Sequence, residues 1–77
     1  MFGNKITKTI FIEGMSCEHC SKRIEEAIMS IKGVKSVSVS LKEKNAEVVL
    51  KTGIEDEFIK SVIEDIGFKV TEIKNNK

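Results

Sequence analysis

Two apolar stripes of the same design recur along this chain, and they limit it to folds that contain a pair of one-sided helices. Ile24, Ala27, Ile28 and Ile31 fall at i, i+3, i+4 and i+7; Ile59, Val62, Ile63 and Ile66 repeat those spacings. Side chains so spaced line one face of an α-helix. A glycine follows each stripe, Gly33 and Gly67, where a helix stop is expected. Glu55, Asp56 and Glu57 precede the second stripe. The positive end of a helix dipole favours acids there.

The remaining segments alternate with a period of two, the mark of half-buried strands. Ile10 and Ile12 alternate with Thr9 and Phe11; Val37, Val39 and Leu41 alternate with Ser36, Ser38 and Ser40; Ala46, Val48 and Leu50 alternate with Glu47, Val49 and Lys51. Lys42 to Asn45 form a short polar turn suited to a hairpin. A last strand is expected from about Phe68 to Ile73, with Val70 facing inward. The order βαββαβ predicts an α+β, ferredoxin-like fold, a four-stranded antiparallel sheet with both helices on one face. Thr7, Thr9, Ser36, Ser38 and Ser40 suit the open face, with Phe11 and Val49 as a cross-strand pair on it. In such a sheet the first and last strands are neighbours, so the loop from Gly14 to Cys17 lies beside Gly67-Phe68.

A chain of 77 residues has room for one domain, 1–77, with a modest core. Its 13 basic and 12 acidic side chains nearly cancel, which argues against a nucleic-acid partner. Among the strand aromatics only Phe11 could stack a base on the open face, so an RNA-binding module ranks last. No apolar run approaches the roughly 20 residues of a membrane span. Met1 to Lys5 lacks the apolar stretch of a secretory signal, so a cytoplasmic location is expected.

The chemistry is concentrated in Gly14-Met15-Ser16-Cys17-Glu18-His19-Cys20, between the first strand and the first helix. Gly14 permits a sharp turn. Ser16 or Cys17 falls near the N-cap, and Cys20 in or beside the first helical turn. The dipole and free N–H groups there favour a thiolate, the form that binds metal or attacks a disulfide. A structural zinc site asks for about four ligands, whereas the whole chain holds two cysteines and one histidine. Soft thiolates select copper(I), which two sulfurs in a near-linear arrangement satisfy. Such a site stays open to an incoming thiolate, so the ion passes between proteins by ligand exchange.

With a helix and the remaining elements behind it, this motif resembles the heavy-metal-associated domain over nearly the whole chain, from about Lys5 to Ile73. The family includes bacterial copper chaperones and the N-terminal metal-binding domains of copper-transporting P-type ATPases. The resemblance implies a non-enzymatic copper(I) chaperone with Cys17 and Cys20 as ligands. Its implied partner is a copper-transporting P-type ATPase, or a copper-responsive regulator. Met15 is implied to pack beneath the loop. Ser16 stands where zinc- and cadmium-handling relatives often carry an acid, which leans the chain towards copper. Phe68 is implied to border the metal, at a position that is often Tyr in bacterial chaperones and Lys in eukaryotic ones.

Each of these residues also has a plainer reading. Met15 fills core space more readily than it ligates. His19 is an exposed imidazole, with tuning or bridging as its alternative role. Lys22 and Arg23 are either a solvated face or a docking surface for an acidic partner. Phe68 is a lid that limits water access. The acids of the second helix, Glu55, Asp56, Glu57, Glu64 and Asp65, read as capping and solubility. A thiol–disulfide oxidoreductase is the alternative from another class, but thioredoxin-like folds order their elements differently. A metal-binding domain cut from a copper ATPase, or a mercury-scavenging relative, would look much the same. The expected state is a monomer, with a copper-bridged homodimer as the alternative.

Overall fold

The computed structural model describes residues 6–76; Met1–Lys5, the segment expected to lack a secretory signal, and Lys77 lie outside the described residues. The element order is β1 (Ile6–Glu13), α1 (Glu18–Met29), β2 (Val34–Ser40), β3 (Asn45–Leu50), α2 (Asp56–Asp65) and β4 (Lys69–Asn76). The strands form one sheet in the order β2-β3-β1-β4, antiparallel throughout. The expected βαββαβ architecture is therefore present.

Both stripes do what their spacing dictates. Ile24 and Ile28 of α1, and Ile59 and Ile63 of α2, are fully buried. They join Ile10, Ile12, Ala46, Val48, Leu50 and Val70 in one cluster. These strand residues occupy alternate positions, so both helices cover the same face of the sheet.

The boundaries depart from the sequence reading in instructive ways. Helix α1 stops at Met29, before Gly33. The Ser30 hydroxyl donates to the Ala27 carbonyl at 2.6 Å. The Ile31 amide turns to the Ile28 carbonyl at 3.0 Å. These bonds take up the orphan carbonyls in a tightened last turn, which still buries Ile31. Helix α2 ends as expected at Gly67, whose φ is +100°. The Phe68 amide reaches the Ile63 carbonyl at 3.3 Å and the Gly67 amide the Glu64 carbonyl at 3.1 Å. That is a complete Schellman motif, and its left-handed residue is best supplied by glycine.

Strand β2 begins earlier than its Val/Ser alternation implies, and Leu41 falls in the turn. Strand β4 runs three residues beyond Ile73 because it continues to pair with β1 as far as Thr7↔Asn76. It also carries a bulge. Ile12 pairs with Val70 and Phe11 with Glu72, leaving Thr71 extra. The bulge lets Val70 and Ile73 both face the helices in spite of their odd spacing.

Two expectations about the sheet faces are corrected. Phe11 and Val49 share the open face but do not pair across strands. Phe11 is opposite Asn45 and Glu72, while Val49 is opposite Thr7 and Ser36. Four residues of strand separate them, roughly 13 Å. Phe11 instead carries the Lys74 ammonium 5.7 Å from its ring centroid. Thr9 lies on the same face, yet only 9% of it is exposed. Its strand is central, so neighbours flank it on both sides.

Candidate metal site

The chain leaves β1 at Glu13 and turns at Gly14, where φ is +100°. A side chain there would be strained by about 1–2 kcal/mol. The turn sets the loop against β4: a β-carbon on Gly14 would meet Phe68 Cδ1 at 3.5 Å. The predicted meeting of the loop with Gly67-Phe68 is present. Met15 and Phe68 are both half-buried and packed against the core.

Cys17 is the N-cap of α1, with extended backbone (φ −158°, ψ 174°), and no side chain caps the helix there. Its carbonyl accepts the amides of Cys20 at 3.0 Å and Ser21 at 3.3 Å. Cys20 therefore sits in the first turn. The two sulfurs lie 3.9 Å apart, and the Ser16 hydroxyl lies 3.9 Å from Cys20 Sγ. Both cysteines are free; Cys17 is exposed and Cys20 half-exposed. At nearly twice the roughly 2.05 Å of a disulfide, the pair is reduced and in contact.

The Cys20 thiol is drawn below its ordinary range, first by a hydrogen bond from the Ser16 backbone. Burial opposes this, and the Cys17 side chain, the Ser16 hydroxyl and the Cys17 backbone reinforce it. Hydrogen bonds to the charged form favour it, so the loop itself prepares a thiolate.

His19 is exposed on the first turn of α1. Among the described residues no three His, Cys, Asp or Glu side chains converge as a metal site would require. Lys22 and Arg23 are exposed on the next turn. The sequence reading missed what lies beside them. The β2–β3 hairpin brings Val39 and Leu41 to the helix start, where they line an open groove with Glu18, His19, Ser21 and Lys22. The Ile12 amide donates to the Lys44 carbonyl at 3.0 Å, which fastens that hairpin to the site end of β1. The only available signal was topological: β2 must end where β1 ends.

A second cluster, also missed, occupies the opposite end of the sheet. Lys8 is only 6% exposed, between the sheet and α2. Its ammonium donates to Asp56 Oδ1, and to Asn75 Oδ1 at 2.7 Å. The Asn75 amide donates to Asp56 Oδ2 at 3.2 Å. Asp56 is therefore more than a capping or solubilising acid. The Lys8 ammonium, above all by hydrogen bonding, holds its carboxyl below the usual range against the opposing effect of burial.

The model of the heavy-metal-associated domain matches residues 9–69. The copper chaperone CopZ of Staphylococcus epidermidis is 39% identical over 64 residues, covering 82% of this chain and 94% of that protein. The copper-transporting ATPase RAN1 of Arabidopsis thaliana is 41% identical over 59 residues, covering 75% of this chain but 6% of the ATPase. The chain thus spans almost the whole of one relative and a small fraction of the other. A solved CopZ metallochaperone superposes with a TM-score of 0.79 at 33% identity, covering 84% of this chain and 98% of that one. No helix among the described residues is long and apolar enough to cross a membrane.

Proposed function

Because the chain belongs to the heavy-metal-associated domain family, we propose that it binds one copper(I) ion through the Cys17 and Cys20 thiolates and passes it to a thiol-bearing partner. The observation that carries this reading is the pair of accessible sulfurs, 3.9 Å apart, at the uncapped start of α1. Metal–thiolate bonds of about 2.3 Å would put two sulfurs at that distance roughly 115° apart around the ion. A small rotation of the exposed Cys17 side chain opens that angle towards the near-linear geometry copper(I) accepts. Two thiolates and one copper(I) leave a net charge of −1, which the helix N-terminus partly offsets.

Transfer follows from the open side of the site. An incoming thiolate donates an electron pair to the copper, giving a three-sulfur intermediate. One original thiolate then leaves and takes up a proton. No bond within a substrate is made or broken, so the chain acts as a carrier and not as an enzyme. The named relatives support a copper-transporting P-type ATPase as the receiving partner, and the same unit would serve as a free carrier or as one domain of a longer chain. We place it in the cytoplasm, where thiols stay reduced.

The test is a competition titration of reduced protein against a copper(I)-specific chromogenic chelator. One tight site per chain is expected, and none in Cys17→Ser or Cys20→Ser. Unchanged affinity in both variants would falsify the reading. Substantial turnover in an insulin-reduction assay would favour the oxidoreductase alternative.

A further inference from the structure

The network at the far end of the sheet, in which Lys8 is buried while Asp56 and Asn75 reach solvent, touches neither the thiols nor any surface the transfer reaction uses. Its position in the pairing pattern indicates its role. Strand β4 must make two stretches of ladder with β1 at once, Val70 opposite Ile12 above the bulge and Glu72 to Asn76 opposite Phe11 to Thr7 below it. Because side chains alternate, a slip of one residue in either stretch turns its inward set outward. Above the bulge, Val70 is 7% exposed and anchors the register. Below it, Ile73 is the one apolar residue packed against the core. The next inward position is Asn75, directly opposite Lys8.

We infer that the Lys8–Asp56–Asn75 network is a register lock, which selects the bulged pairing of β4 over the continuous pairings the same strand could make. The Lys8 ammonium meets Asn75 only when Asn75 is opposite it and faces the helices. In the unbulged register Lys74 would stand opposite Lys8 on the buried face, two ammonium groups with one carboxylate between them. In the other slip Val70 would turn outward and draw Phe68 away from Gly14. A buried polar group that fixes register is the best-attested use of such groups, and it differs from adding net stability. The chain keeps Phe68 beside the loop, in this account, by a contact made at the opposite end of the strand.

The test is amide saturation-transfer exchange on the metal-free protein, so its failure is separable from any failure of the copper reading. Lys8→Met replaces the ammonium with an apolar side chain of similar length. In that variant a second register should appear at residues 69–76, populated at about 1–10%, where the parent shows one state. Deleting Thr71 in the same background removes the extra residue, so one uninterrupted ladder buries both Val70 and Ile73; the minor state should vanish. A single state in Lys8→Met overturns the inference, as does a minor state that survives the deletion. A Lys8→Met chain that does not fold also overturns it, because the network would then be supplying stability and not choice.

Discussion

The two helices begin in opposite ways. Neither start has a side-chain cap. At α1 the uncapped turn faces solvent and holds two thiols in contact with each other. At α2 it faces a buried lysine, and Asp56 closes a ring of hydrogen bonds with Lys8 and Asn75. The same positive dipole end thus favours two kinds of anion. One is left approachable, as the proposed arrival and departure of a copper ion requires. The other is permanently paired with a cation belonging to the protein. Approachability, more than local charge, separates a transfer site from a structural one.

The sharpest way to break this contrast is to remove one anion at a time. Cys17→Ser or Cys20→Ser should lower copper(I) affinity by at least the 10–100-fold typical of lost supporting contacts to a metal. Urea unfolding of the same variants should move by no more than about 0.5 kcal/mol, because neither side chain is a core residue. Asp56→Ala should do the reverse. Removing one partner of a buried pair costs about 3–5 kcal/mol, and Asp56 keeps 40% of its side chain in water, so the lower part of that range or less is expected. Copper(I) affinity of Asp56→Ala should match that of the parent; a parallel loss would mean that the two ends are coupled.

Acid offers a milder perturbation. The Asp56 carboxyl titrates below its unfolded value of about 3.9. Its contribution is therefore complete above the unfolded pKa and disappears as pH falls through the lower folded one. Stability measured from pH 5 downward should fall more steeply in the parent than in Asp56→Asn. Equal slopes would remove the pairing with Lys8 from the account. Smallest of all is the effect at Cys20. In Cys17→Ser, thiolate absorbance should rise with a midpoint below the ordinary cysteine value of 9.0, because the Ser16 backbone still favours the charged form. A midpoint at or above that value would show that the loop does not prepare the thiolate.

Much of the fold was legible because its determinants are local. Ile24 and Ile28, and Ile59 and Ile63, announce their helices by spacing, and all four are fully buried. Gly67 announces its Schellman stop by being the residue that tolerates a left-handed backbone. The thiol pair was legible for the same reason: N-cap and first turn are separated by three residues. What escaped depended on partners distant in sequence. Lys8 stands between two threonines, and nothing in the local sequence marks it as buried until Asp56 and Asn75 are brought to it. The bulge at Thr71 lets Val70 and Ile73 face the same way in spite of their odd spacing, which no alternation pattern displays. Phe11 and Val49 share a face without pairing, because composition identifies a face but not a register. Ser30 ended α1 early through a hydroxyl that competes for a helical carbonyl.

The antiparallel pairing of β1 with β4 brings Thr7 opposite Asn76. The first and last described strands therefore enter and leave the domain on the side away from Cys17. A tether attached at either point would trail behind the molecule and leave its sulfurs facing forward. Beads of this kind could be strung in series, or released singly, without rebuilding the end that carries the thiols.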